Sequence, residues 1–198
     1  MPPTSISRRD VIKTLTLGAT AGSVSNIISL QAAEHVHKIV REEKAKLSGG
    51  YTPKFFSAHQ YKTLQALCQA IIPADEKVAG AMEAGAPEFI DLLTSENEDY
   101  QLQLGGGMMW LDASCRDRYG KVYLECSAAD QKEMLDLIAY KENAEIDSSL
   151  IHGIQFFSFL RNLTADGFFT SQIGIEYLQY IGNTVVAEFP GCPALQEN

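Results

Sequence analysis

The stretch Leu150-Ile151-His152-Gly153-Ile154-Gln155-Phe156-Phe157-Ser158-Phe159-Leu160-Arg161-Asn162-Leu163 is the most apolar part of the chain that keeps a helical spacing. Ile151, Ile154, Phe157, Phe159 and Leu160 fill it, and Asp166-Gly167 supplies a stop. Working upstream, Ser127-Ala128-Ala129-Asp130 opens a helix that carries Met134, Leu135, Ile138 and Tyr140. Met108, Met109, Leu111 and Cys115 predict another, entered through a flexible Gly105-Gly106-Gly107 loop and ended at Gly120. Ala86-Pro87-Glu88 starts a short helix with Phe89, Leu92 and Leu93 inward. Ser57 caps a further helix that runs to Ile72, where Pro73 stops it. Its Tyr61, Leu64, Leu67, Cys68 and Ile71 share one face. Downstream, residues 168–198 alternate aromatics, Gly and Pro without a helical period and predict an irregular tail, with room for one short helix. No strand–helix–strand alternation occurs, so the expected fold is all-α: a compact helical bundle with an irregular, aromatic-rich C-terminal segment.

Composition sets the outer limits. The chain has 198 residues, and Lys+Arg 16 against Asp+Glu 25 gives a net charge of −9. That length suits one domain. A hydrophobic fraction of 45% and a mean hydropathy of −0.08 describe a core-forming chain. The acidity argues against nucleic acid as a partner, because displacing counterions from phosphates needs a basic face. It argues equally against an anionic membrane surface.

The charge is unevenly spread. Arg8, Arg9 and Lys13 against the single Asp10 give residues 1–33 a charge of +2, so the remainder carries −11. Ser7-Arg8-Arg9-Asp10-Val11-Ile12-Lys13 precedes a mildly apolar stretch rich in Thr, Ser, Gly and Ala. A charged segment followed by an apolar one is the form of an export signal. Adjacent arginines in this setting match the twin-arginine address, which is read on folded cargo. Arg8 and Arg9 are therefore the expected export signal, and the periplasm the expected location. No small-x-small triplet closes the apolar stretch, because Gln31 or Leu30 falls at the third position before a cut after Ala33 or Ala32. Residues 1–33 are expected as the signal segment, 34–50 as a charged helix or linker exposed to solvent, and 51–198 as the helical domain.

Motifs for chemistry are sparse. The triple glycine follows no strand and lacks the dinucleotide spacing. No Cys-x-x-Cys-His or Cys-x-x-Cys occurs. Cys68 and Cys115 fall on apolar helical faces, as small buried hydrophobes do, although an oxidising compartment would permit disulfides. Cys192, in Pro190-Gly191-Cys192-Pro193, is the candidate for an inter-subunit disulfide, with a free or intrachain thiol as the alternative. His35 and His37, two apart, do not align on one helix face, so no metal pair is expected. Asp75-Glu76 follows a helix-stopping proline and suits a loop cap. No catalytic, cofactor or metal site is expected in this chain.

The ordered set Phe55-Phe56-Ser57, Ala70-Ile71-Ile72-Pro73-Ala74-Asp75, Gly85-Ala86-Pro87-Glu88-Phe89-Ile90-Asp91, residues 124–138, residues 157–161, Gly167-Phe168-Phe169-Thr170-Ser171, Tyr180-Ile181-Gly182-Asn183 and Gly191-Cys192, behind a twin-arginine leader, resembles the gluconate 2-dehydrogenase subunit 3 family. The chain departs from it after Asp75, where extra acidic and proline residues would be expected, and at Met108-Met109-Trp110. The resemblance implies an accessory subunit. Its partner would be a large dehydrogenase of the glucose–methanol–choline type that holds FAD, and a cytochrome c subunit with haem could take the electrons onward. The small subunit would supply the export address to the twin-arginine translocation machinery and stabilise the large one. Arg161, Phe168, Phe169, Tyr177, Tyr180, Asn183 and Phe189 form the candidate partner interface, because aromatic anchors dominate interfaces. The same aromatics could instead cover the domain's own core. Two other functions stand beside this one: a free-standing periplasmic binding module, and a cofactor-free enzyme using Asp75, His59 or His152.

Overall fold

The computed structural model describes residues 28–47, 50–76 and 78–180. Among them every regular element is helical and no strand occurs. The helices are α1 (Leu30–Lys46), α2 (Ala58–Ile71), α3 (Ala86–Ser95), α4 (Gly106–Tyr119), α5 (Ala128–Ala139), α6 (Ile151–Phe169) and α7 (Gln172–Tyr177).

Helix α6 is the axis of the fold, packed against α2, α3, α4, α5 and α7. Its sequence explains why. Phe156, Phe157, Phe159, Leu160, Leu163 and Phe168 are all buried, and together they occupy more than one face. A helix apolar on several faces is stable only inside other helices. Each such side chain contributes roughly 2–3 kcal/mol on leaving water. The helix does not stop at Asp166-Gly167 as the sequence predicts; it runs on to Phe169. Gly167 is buried in its last turns, where a Cβ would stand 3.2 Å from the Cα of Ala86 and 3.0 Å from the Phe89 ring. There glycine permits close approach of α3 rather than ending a helix. The expected irregular segment is corrected accordingly. Phe168 and Phe169 close α6, and Ser171 then caps α7 by accepting from Gly174 N at 3.0 Å.

The triple glycine is also helical. One α turn at Glu98–Tyr100 passes through a π-helical turn at Gln101–Gly105 directly into α4, so residues 98–119 form one continuous rod. The flexible loop expected there does not form, because α4 and α6 cross with glycines at the contact. A Cβ on Gly107 would lie 2.0 Å from Phe156, and one on Gly153 2.2 Å from Trp110. Gly120, at φ 74, ends the rod in the left-handed region.

Local signals that rest on side-chain chemistry hold. Ser57 with Gln60, and Ser127 with Asp130, form complete capping boxes at the starts of α2 and α5. Pro87 lies in the first turn of α3. Asp75 caps its loop through Val78 N at 2.8 Å. Tyr140, expected on the inner face of α5, is instead the residue that ends the helix, and it is exposed.

The charged segment after residue 34 is not a solvated spacer. Helix α1 begins at Leu30, capped by Ser29, and buries Ala33, Val36, His37, Val40 and Glu43 against α3. The buried positions recur at three and four, a stripe that the surrounding charges conceal. No helix among the described residues is long and apolar enough to cross a membrane.

Candidate functional site

Two features stand out: an exposed apolar patch at the end of α6, and a buried polar layer that ties the N-terminal part of the chain to α3.

The patch is built on one buried ring. Phe168 is 2% exposed and stands edge-on to Phe169 at 5.1 Å and to Tyr177 at 6.3 Å. It therefore leaves the candidate interface and becomes its support, since a residue that faces the core cannot contact a partner. Phe169, Tyr177 and Tyr180 are exposed, and so is Leu178 between them, which sequence reading passed over. The corner that carries them is fixed tightly. Ser171 Oγ donates to Phe168 O at 2.6 Å, and a Cβ on Gly174 would meet that carbonyl at 2.0 Å, so only glycine lets α7 fold back this closely. Arg161 is exposed on α6, two turns before the patch. Arg8, Arg9, Asn183, Phe189 and Cys192 lie outside the described residues.

Helix α1 reaches the same corner. The His37 ring stacks on Phe89 at 4.7 Å, and its Nε2 lies 3.0 Å from Thr170 Oγ1, at the end of α6. Burial first, and Arg41 second, lower the His37 pKa from its ordinary 6.5 to about 4. The imidazole is neutral at pH 7 in both the folded and the unfolded chain. As the pH falls below 6.5, the unfolded chain takes up the proton first, so folding stability declines until the folded-state value near 4 is reached. A loss of about 2 kcal/mol is expected after discounting for solvent screening. Thermal melts between pH 7 and pH 4.5 check it: His37→Gln should show a flatter profile than the parent, and an identical one would refute the assignment.

The polar layer centres on Asp91, which is fully buried on α3. Its carboxylate accepts from Tyr51 Oη at 2.9 Å and from the backbone N–H groups of Lys54 at 2.6 Å, Phe55 at 3.2 Å and Phe56 at 3.1 Å. Residues 51–56 are thereby wrapped around one side chain. Burial, followed by the charge of Asp91 and its hydrogen bond, raises the Tyr51 pKa far above its ordinary value, so this phenol remains a donor. Lys54 Nζ pairs with Glu43 on α1 at 2.5 Å, and Lys44 of the same helix pairs with Glu88 on α3 at 2.5 Å. Tyr61 Oη and Glu88 Oε2, buried in the same layer, have no hydrogen-bond partner among the described residues.

The residues considered for catalysis lie apart from one another, His59 and Asp75 each with its own partner. His59 Nε2 lies 2.6 Å from Asp112 Oδ2 at the surface, Asp75 caps its loop, and His152 is exposed at the start of α6. Among the described residues no three His, Cys, Asp or Glu side chains are grouped as metal ligands. A shallow groove of about 360 Å³ lies between α2 and α5, floored by Phe157. Tyr123, Gln131 and the ion pair of Lys132 with Asp136 at 2.5 Å are its polar lining.

The family model described as gluconate 2-dehydrogenase subunit 3 matches residues 58–191, a span that takes in α2 to α7 and the apolar patch. No curated protein and no solved structure matches the chain.

Proposed function

The chain belongs to the gluconate 2-dehydrogenase subunit 3 family, and from that premise we propose that it is the non-catalytic small subunit of a periplasmic flavoprotein sugar or sugar-acid dehydrogenase. The family match over 58–191 carries this reading. In it the large subunit, of the glucose–methanol–choline type, holds FAD and oxidises the substrate. A cytochrome c partner takes the electrons to its haem. This chain contributes the Arg8-Arg9 address, the translocation machinery exports the folded pair, and the small subunit stabilises the large one. Phe169, Tyr177, Leu178 and Tyr180 support docking at the end of α6, since an apolar cluster with phenolic rims suits a partner surface better than water. Arg161, two turns earlier on α6, adds an exposed charge on the same helix, and Asn183, Phe189 and Cys192 continue the same chain.

Co-expression with the large subunit tests the proposal. Changing Arg8 and Arg9 to Lys keeps the charge but removes the guanidinium pair. Dehydrogenase activity should then fall to background in the periplasm and stay with the cytoplasm. Undiminished periplasmic activity would refute the escort role, and failure of the two chains to co-purify would refute the subunit assignment.

A further inference from the structure

The rod of residues 98–119 has one face that no other described part of the chain covers. Gly106, Met109, Ala113 and Arg116 follow one another at spacings of three and four on α4, and all are exposed. Leu102, in the π-helical turn before them, is exposed as well. With Leu102 77% and Met109 70% exposed, this face leaves two long apolar side chains largely in water. Gly106 differs from the glycines at the crossing of α4 and α6. A Cβ there would meet no atom within 4 Å, whereas Gly107 and Gly153 are needed where the helices touch. Glycine weakens the helix at Gly106, and packing within the chain returns nothing for it. The two ends of the rod carry opposite charge: Glu98 and Asp99 open it, Arg116 and Arg118 lie at its close, and all four are exposed. Arg118 reaches Asp147 at 3.5 Å, while Glu98, Asp99 and Arg116 have no ion pair among the described residues.

We propose that this face binds a second copy of the same chain, the two rods lying antiparallel about a two-fold axis midway between Gly106 and Met109. The face is complementary to itself in that register. Leu102 of one copy lies opposite Ala113 of the other and Met109 opposite Gly106, and the two-fold makes every contact twice. Each long side chain thereby meets a small residue, which lets the helices approach closely. Gly106 is then the seat of the partner's Met109, and its lost helix propensity has a return. The same alignment sets the Glu98–Asp99 end of each rod against Arg116 of the other, so charges without an ion pair in one chain find the opposite charge across the interface. A parallel pair would set Leu102 on Leu102 and Arg116 on Arg116 instead. The inference goes beyond the subunit reading above and does not depend on it, since it concerns a different element from the end of α6. One helix from each copy buries less than the roughly 1,600 Å² of a standard interface, so the dimer should exchange with monomer in the micromolar range.

Sedimentation equilibrium of the full chain, from low to several hundred micromolar, should show passage from the 21.8 kDa monomer to twice that mass. Met109→Glu should weaken the dimer about tenfold or more, because its carboxylate would lose water against the partner helix. Gly106→Leu should weaken it similarly while raising the melting temperature of the monomer by about 2–4 °C, since leucine is the better helix former and meets open space. Weaker association in a more stable monomer is a result that damage to the fold cannot give. Arg116→Glu should also dissociate the pair, and adding Glu98→Arg and Asp99→Arg should restore it. Leu102→Cys chains mixed with Ala113→Cys chains, both carrying Cys192→Ser, should cross-link under mild oxidation in preference to either variant alone. A monomer at every concentration would overturn the proposal, as would a dimer that Met109→Glu and Gly106→Leu leave unchanged, or cross-linking within one variant in preference to the mixture. A complex with the large subunit that holds one copy of this chain and shields Met109 from peroxide would assign the face to that subunit and overturn it too.

Discussion

Replacing Asp91 with Ala should cost the domain about 4 kcal/mol, enough to leave a protein of ordinary stability partly unfolded at room temperature. The carboxylate is fully buried and serves four donors at once, three of them backbone N–H groups of residues 54–56. Alanine leaves those N–H groups and the Tyr51 hydroxyl without an acceptor. An orphaned buried donor costs about 1–3 kcal/mol, and the sum is reduced because the freed loop can peel outward to water. That relaxation carries its own loss, since Lys54 leaves Glu43 and with it one of the ties between α1 and the core. Asp91→Asn keeps one acceptor oxygen and sets an NH2 group against N–H donors, so it should fall between the parent and alanine. Urea unfolding monitored by far-ultraviolet circular dichroism gives the order. A loss below about 1 kcal/mol for alanine would mean that water replaces the carboxylate at no net penalty, and the polar layer would lose its structural role.

Asp91 also shows what the sequence makes legible and what it hides. An acid inside Phe89-Ile90-Asp91-Leu92-Leu93 is a visible oddity, because nothing polar belongs in such a run unless it has partners. The partners themselves lie some 35–40 positions upstream, and no local pattern names them. The capping serines could be read because their bonds close within three residues. Glycine misled for the opposite reason. Gly167 and the run at 105–107 have low helix propensity, and propensity is all that a local reading can weigh. In the fold, Gly107 and Gly167 are needed where another helix approaches, and burial of neighbouring rings outweighs the roughly 1 kcal/mol of intrinsic preference lost at each. At the candidate interface, Phe168 and Phe169 are adjacent and chemically identical, so only the phase of α6 decides which one supports and which one is presented. Extending the helix to Phe169 settled it. Helix α1 was obscured because its charges alternate in sign, whereas the evidence for burial sits in the spacing of Val36, His37 and Val40.

The crossing of α4 and α6 carries the other large effect, and it bears on function because α6 delivers the apolar patch. Two glycines face two rings in opposite directions: Gly107 of α4 against Phe156 of α6, and Gly153 of α6 against Trp110 of α4. Gly107→Val should destabilise by about 3 kcal/mol or more, measured as a shift in denaturation midpoint. An added Cβ would lie 2.0–2.7 Å from Phe156 Cδ2, Cγ and Cβ, and this ring is only 3% exposed, so it has nowhere to turn. Gly153→Ala should be milder. Its clash is with the far edge of the Trp110 ring, which is only partly buried and can swing towards solvent, although Ile138 Cγ2 at 2.9 Å limits the gain. Better helix propensity returns roughly 1 kcal/mol for alanine and well under that for β-branched valine, which is too little to reverse the first and comparable to the second. Shortening the obstructing ring separates overpacking from a backbone effect. Gly107→Val combined with Phe156→Ala should be more stable than the sum of the single losses predicts, because the two changes share one volume. Strict additivity would mean that Gly107 is required for its backbone instead. If the packing account holds and the proposed large subunit docks at this patch, Gly107→Val should also weaken their co-purification, since displacing α6 moves Phe169 and α7 together.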